Sequence, residues 1–151
     1  MQHPLPSITK QRRLTFRPEL KDVILTYDLL NQTLFDNELS RPDIRLRAPH
    51  GAWGICRGEW RNDETPYVKS IDISDKYFTK SWFVTILSHE MVHQWQWEVD
   101  GPRRLAAGKD PLMNHGPNFF QHRERFAEHG ISLKMWHRSK KWFKYQDFFK
   151  C

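Results

Sequence analysis

The sequence predicts an α+β domain in which helices flank a small sheet of three strands or more. Two observations support this fold class. Apolar residues recur at helical spacing in three long segments, and three short segments with alternating apolar and polar residues lie between the first two of them. The chain has 151 residues and an aromatic fraction of 14%, which suits one domain over residues 1–151 with its own apolar core.

The first predicted helix follows Thr15 and has Pro18 in its first turn, a position where proline is favoured. The polar run 36–42, which ends in a proline, breaks the helical pattern. The apolar stripe of this helix consists of Leu20, Val23, Ile24, Tyr27, Leu30 and Leu34.

Three strands are predicted next, over residues 43–48, 52–60 and 67–74, because apolar and polar side chains alternate there. Gly54 and Gly58 interrupt the second of these segments. Glycine inside a strand indicates a bulge or a close approach of two backbones, so we expect one of these features in the second strand.

The second predicted helix is capped by Ser81, runs from Trp82 to Glu98 and ends near residues 101–102, which are Gly-Pro. A third helix is predicted from Pro117 to Gly130, where glycine is typical of a helix C-terminus. The apolar stripe of the second helix consists of Phe83, Ile86, Leu87, Met91 and Trp95.

Positive charge is concentrated at the two ends of the sequence. The formal net charge is +6; residues 1–17 carry +4 and residues 134–151 carry +5, so residues 18–133 carry −3. This distribution favours an anionic polymer as a partner, although it fits solubility and basic tails equally well.

The predicted location is intracellular, in the cytoplasm, nucleoid or nucleus, and no membrane association is expected. The first residues contain charges but no apolar stretch of the kind that a secretory signal needs, and no segment approaches the roughly 20 apolar residues of a membrane span. Cys56 and Cys151 are the only cysteines, too few for a disulfide framework or a cysteine-based zinc module.

Residues 89–93 read His-Glu-Met-Val-His and fall within the second predicted helix. Histidines four residues apart lie on one face of a helix, about 6 Å apart along the axis, so both imidazoles can reach one tetrahedral zinc ion. Glu90 would then be the general base of a metallopeptidase. The alternative is a surface helix with two solvated histidines.

A catalytic zinc ion needs a third protein ligand. The metzincin pattern fails, because Gln96 and Val99 occupy the positions of its glycine and its third histidine. His115 lies before Gly116-Pro117, in a predicted loop that could direct its side chain freely. Besides His115, the candidates for the third ligand are Glu124, Glu128, His122 and His129.

Two motifs make the sequence similar to the SprT-like (Spartan-type) metallopeptidase family: residues 89–93, and residues 114–119, which read Asn-His-Gly-Pro-Asn-Phe. The segments around Gly54, Cys56 and residues 71–74 are also similar, and the resemblance covers residues 18–133. It implies a zincin-like fold with one catalytic zinc ion bound by His89, His93 and His115. Many members have an additional zinc-binding module or a long C-terminal extension, and neither is expected within residues 1–151.

The activity expected from the motif and the resemblance is zinc-dependent hydrolysis of peptide bonds. Zinc lowers the pKa of a bound water to about 7, and Glu90 would take its proton. Tyr67, His122 and Arg123 are candidates for a second donor to the oxyanion. Candidates for orienting the histidine ligands are Asp72, Asp75 and Glu128.

The resemblance further implies that the substrates are proteins bound or crosslinked to DNA, as in DNA–protein crosslink repair, with single-stranded or partly unpaired DNA as activator. The basic and aromatic segment 134–151 gives this partial support, because basic groups bind phosphates and aromatic rings stack on bases. The residues concerned are Lys134, Arg138, Lys140, Lys141, Lys144 and Trp142. The aromatic residues could instead form the apolar face of a C-terminal helix.

Two other functions remain open at this point. One is a zinc peptidase that acts on a protein partner without nucleic acid. The other is a DNA-binding module with a structural zinc ion.

Overall fold

The computed structural model describes residues 13–47, 52–61 and 65–135. These residues form the predicted α+β arrangement of helices around a three-stranded sheet. In chain order the elements are α1 (Leu20–Phe35), β1 (Asp43–Leu46), β2 (Gly54–Trp60), β3 (Pro66–Ile73), α2 (Lys80–Trp95), a π-helical segment (Gln96–Asp100), α3 (Gly101–Ala106), α4 (Pro117–Phe120) and α5 (Arg123–Glu128).

Helix α1 begins at Leu20, two residues after Pro18, so the prediction that Pro18 lies in its first turn was wrong. The backbone of Phe16 exchanges two hydrogen bonds with Tyr77, of 3.0 and 2.8 Å, and this bridge holds the preceding segment extended. The start of α1 is stabilised instead by Asp22, whose carboxylate accepts a hydrogen bond of 3.0 Å from the backbone N–H of Glu19.

The sheet has the strand order β1-β3-β2, with β1 parallel and β2 antiparallel to β3. The register between β2 and β3 shifts between Arg57 and Gly58. A Cβ atom built on Gly58 would overlap the indole ring of Trp97. The predicted bulge is therefore confirmed, whereas the group that lies against Gly58 is a side chain and not the backbone of another segment.

The core lies between the inner face of the sheet and the helices α1 and α2. Ile71 and Ile73 of β3 are fully buried, and Ile44 is 8% exposed. The predicted apolar stripe of α2 is buried along its whole length. Burial of each such side chain stabilises the fold by roughly 1.5–3 kcal/mol, so the middle of α2 is firmly held against the sheet.

Helix α2 starts and ends differently from the prediction. Thr79 rather than Ser81 caps it, since the Thr79 hydroxyl accepts a hydrogen bond of 3.0 Å from the Trp82 N–H. The helical path also continues through Gly101 and Pro102 instead of ending there. Pro102 is tolerated because it lies in the first turn of α3, where its missing N–H is not needed.

The third predicted helix is present as two short helices, α4 and α5, and Gly130 has the left-handed φ of 73° expected after a helix. Within the three described ranges, the helices are all too short or too polar to cross a lipid bilayer. Residues 136–151, which hold most of the predicted nucleic-acid contacts, lie outside the described residues.

Candidate metal centre

His89 and His93 on α2 and His115 in the loop before α4 are brought together, as predicted. One ring nitrogen from each lies within 4.8 Å of the other two. Nε2 of His93 and Nε2 of His115 are 3.1 Å apart. Two nitrogens bound at 2.0–2.1 Å to a tetrahedral zinc ion would be about 3.3 Å apart, so the three imidazoles could hold such an ion.

Phe119 supports all three imidazoles from one side. Its ring is fully buried, and its centroid lies 4.9 Å from that of His89, 5.0 Å from that of His93 and 4.8 Å from that of His115. A turn shapes the loop between Asn114 and Gly116, because the Asn114 side-chain oxygen accepts a hydrogen bond of 3.1 Å from the Gly116 N–H. Phe119 and this turn together define where the His115 ring lies.

The surroundings of the site favour neutral imidazoles. Burial lowers the pKa of His93 to about 4; the hydrogen bond with Gln96 opposes this shift, and the neighbouring His115 adds to it. Burial also lowers the pKa of His115. A neutral imidazole has a lone pair available for a metal, so His93 and His115 are in the form that can bind one at neutral pH.

Glu90 follows His89 on α2 and is fully buried. A Cβ atom built on Gly54 of β2 would lie only 3.0 Å from Cγ of Glu90, so the carboxylate-bearing side chain runs closely past this glycine. Burial raises the pKa of the Tyr77 hydroxyl and of the Cys56 thiol, and the negative charge of Glu90 raises both further. The sequence motif alone predicted the position of Glu90, but not the strand that lies against it.

Gln96 belongs to the site, and the sequence analysis did not assign it a role. Its side chain is fully buried, and its Oε1 lies 2.8 Å from Nδ1 of His93. Its Nε2 donates hydrogen bonds to the backbone oxygen of Asn114 at 2.7 Å and to Oδ1 of Asn118 at 3.0 Å. The only sequence signal was its position three residues after His93, which places it one turn further along the same helix.

The other candidates for the third ligand do not join the cluster. Glu124, Glu128 and His129 are exposed on or next to α5. The ring of His122 packs against the rings of Trp95, Phe35 and Phe126 in the core. Of the five candidates, His115 is the one that lies with His89 and His93 in the part of the chain that the structure describes.

The residues considered as oxyanion donors make other contacts. The Tyr67 hydroxyl donates a hydrogen bond of 2.7 Å to Glu59, and the Arg123 guanidinium lies 4.3 Å from the centroid of the Phe120 ring. His122 is held in the core, as described above. None of these contacts directs the group towards the three histidines.

The residues considered for orienting the histidine rings are also engaged elsewhere or exposed. Asp72 binds Arg47 at 3.0 Å and lies 3.6 Å from Arg57. Asp75 and Glu128 are exposed. The partner that the structure gives to the second ring nitrogen of His93 is instead the amide of Gln96.

Of the predicted nucleic-acid contacts, Lys134 is described and is exposed, while Arg138, Lys140, Lys141, Trp142 and Lys144 lie outside the described residues. The basic side chains on the sheet are paired with acids: Arg45 with Asp43, Arg57 with Asp72 and Lys69 with Glu59.

Comparison of the chain with known proteins finds no family model that matches it and no curated protein that matches it.

Proposed function

We propose that this protein is a zinc-dependent endopeptidase with a zincin-like, SprT-like catalytic domain. The observation that carries the proposal is the convergence of ring nitrogens from His89, His93 and His115, which belong to two segments of the chain. Three protein ligands suit a catalytic zinc ion, which keeps one position for water or substrate, whereas structural zinc sites usually have four. Within the described part of the chain, the cluster contains no fourth ligand.

A zinc ion held by these residues would supply Lewis-acid chemistry, polarising the scissile carbonyl and lowering the pKa of an attacking water. The chain itself supplies the proton transfer. Glu90 follows the proposed ligand His89 on a buried part of α2. Its carboxylate would accept a proton from the attacking water and pass it to the leaving amine. Phe119 keeps the three imidazoles in place and excludes water behind them.

The test of this proposal is Glu90→Gln in zinc-loaded protein, with a DNA-binding protein as substrate. The substitution removes the proton acceptor and keeps the shape, so we expect hydrolysis to fall by about 10²–10⁴-fold while zinc content is unchanged. Glu124→Gln, an exposed glutamate on α5, is the matched control and should cleave like the wild type. Undiminished cleavage by Glu90→Gln would rule out the proposed mechanism.

We further propose that DNA-bound or DNA-crosslinked proteins are the substrates and that single-stranded DNA activates the enzyme. The support is the concentration of positive charge in residues 1–17 and 134–151. Adding single-stranded DNA to the same assay should accelerate cleavage, and this stimulation should decrease steeply as salt rises, because phosphate contacts release counterions.

A zinc peptidase that needs no nucleic acid is the second candidate. It is favoured by the pairing of Arg45, Arg57 and Lys69 with carboxylates, which leaves the sheet surface little net positive charge for a phosphate backbone. Cleavage that is equally fast with and without DNA at low salt would select this candidate over the first.

A further inference from the structure

We infer that Gln96 is a positioning residue that selects the tautomer of His93 and connects the His115 loop to α2. The inference rests on the proposed metal centre, but not on peptide hydrolysis. Gln96 contacts His93 directly. It also reaches the segment that carries His115, through a hydrogen bond to the backbone oxygen of Asn114. It is the only described side chain for which a hydrogen bond to Nδ1 of His93 is observed.

The directions of these hydrogen bonds follow from the chemistry of their ends. The backbone oxygen of Asn114 can only accept, so the Gln96 group that lies 2.7 Å from it must be the NH₂ group. The side-chain oxygen of Gln96 therefore faces Nδ1 of His93, and this nitrogen must carry the proton. In a neutral ring the lone pair is then on Nε2, the nitrogen that faces His115.

The side-chain amide of Asn118 requires the same direction of the hydrogen bonds. Nδ2 of Asn118 donates to a carboxylate oxygen of Asp100 and to the backbone oxygen of Leu112, both at 2.9 Å. Both partners act only as acceptors, so Oδ1 of Asn118 must face the NH₂ group of Gln96. The hydrogen bonds thus run in one direction from His93 through Gln96 and Asn118 to Asp100, whose negative charge polarises the chain of bonds.

The π-helical segment supplies two members of this hydrogen-bond network, one at each of its ends. Gln96 and Asp100 are its first and last residues, and both side chains bind Asn118. Single π-helical turns are rare and occur frequently at functional sites. Here the turn lets α2 contact the His115 loop through two side chains, so the two segments that carry the ligands are held as one unit.

A purely structural role would also explain why a buried glutamine makes three hydrogen bonds. The two roles differ in a measurable property, because only a positioning role requires the ring protonation of His93 to depend on Gln96. The two ring nitrogens of His93 report this property directly. Their ¹⁵N chemical shifts distinguish a protonated from an unprotonated nitrogen, and these shifts can be measured without any metal.

The experiment compares Gln96→Met and Gln96→Glu, with Gln32→Met on the exposed surface of α1 as the matched control. Methionine keeps the approximate volume and removes every hydrogen bond. Glutamate keeps the acceptor for His93 and removes both donors to the loop. For each protein we would measure the zinc dissociation constant by chelator competition, the ¹⁵N shifts of His93 in the zinc-free state, and hydrogen exchange of residues 112–118.

We expect Gln96→Met to bind zinc about 10–100-fold more weakly than the wild type and to lose the preference for a protonated Nδ1. Gln96→Glu should retain the protonated Nδ1, while residues 112–118 exchange faster because both hydrogen bonds from the Gln96 NH₂ group are lost. Gln32→Met should match the wild type in all three measurements.

A preference for a protonated Nδ1 of His93 that is unchanged in Gln96→Met would overturn the inference, because a purely structural role of Gln96 leaves this preference in place. If thermal melting shows that Gln96→Met does not fold, Gln96→Ala, which also lacks the acceptor for Nδ1, takes its place, and an unchanged tautomer of His93 in that variant overturns the inference. Failure of the proposed function would look different, since the wild type would then not cleave peptides while the effects of Gln96 on tautomer and loop exchange persist.

Discussion

Gly54 lies against the proposed general base and leaves almost no room for a larger residue. An added Cβ atom would lie 3.0 Å from Cγ of Glu90 and 3.1 Å from both Ile73 and Ile86. These distances are slightly too short, so Glu90 would have to move by a few tenths of an ångström. Its side chain ends in the carboxylate of the proposed base, whereas the two isoleucines are fixed in the core.

We therefore expect Gly54→Ala to reduce kcat by about tenfold while zinc affinity changes little, since misplacement of a catalytic group by even a fraction of an ångström is costly. Steady-state kinetics and chelator competition on the same preparation measure the two effects. Ile55→Val, on the opposite face of the same strand, is the control. A Gly54→Ala enzyme with wild-type kcat would show that Glu90 does not depend on this contact.

At the scale of elements, Gly58 and Trp97 determine how closely β2 approaches the π-helical segment. The indole of Trp97 occupies the space where a Cβ atom of residue 58 would be, and its edge also packs on Trp60 with centroids 6.0 Å apart. The strand and the helical turn that carries Gln96 are thus in contact through one aromatic ring.

Gly58→Ala should decrease the free energy of unfolding by about 1–3 kcal/mol, because the added methyl group overpacks this contact. Chemical denaturation measures the change. Trp97→Leu would create space at the same point, so the double variant should lose less stability than the sum of the two single variants. Strictly additive losses would contradict a direct contact between these residues.

The end of α2 illustrates why elements are predicted better than their boundaries. The motif Gly101-Pro102 usually ends a helix, and the sequence therefore predicts that α2 ends there. In the structure the π-helical turn precedes it, with the Gly101 N–H bonded to the oxygen of Gln96, and Pro102 enters the first turn of α3. A local signal of this kind can be overridden when side chains before and after it are held by other parts of the fold.

For the molecule as a whole, the metal should connect the two parts of the chain that supply its ligands. Zinc binding to the folded state alone would raise the free energy of unfolding by about 4 kcal/mol at a concentration 1,000-fold above the dissociation constant. Unfolding should therefore shift to lower temperature when a chelator is added.

His115→Ala removes the one ligand that lies outside α2, so most of this zinc-dependent stabilisation should disappear. His129→Ala, an exposed histidine beyond α5, should retain it. Thermal melts of both variants with zinc and with chelator measure the difference. An equal shift in His115→Ala and in the wild type would mean that the ion is bound elsewhere.

The sequence by itself determined the type of the elements and the placement of two of the proposed ligands. Apolar residues at helical spacing predict α2, although the structure buries its second half on all sides, and covalent spacing alone places His89, Glu90 and His93 on that helix. Residues close in sequence have a geometry that the local conformation determines. The assignment of His115 needed a resemblance to a known family, because spacing left five candidates, and the structure then brought it to the other two histidines.

Only the tertiary structure decided how the site is supported. Gln96 meets Asn114 and Asn118 across 18 and 22 residues, Glu90 lies beside Gly54 of a preceding strand, and Phe119 lies under all three rings. No local pattern encodes these contacts, because each depends on the path of a loop and on the packing of the sheet against α2. A polar side chain finds its partners only after the apolar core has set those distances.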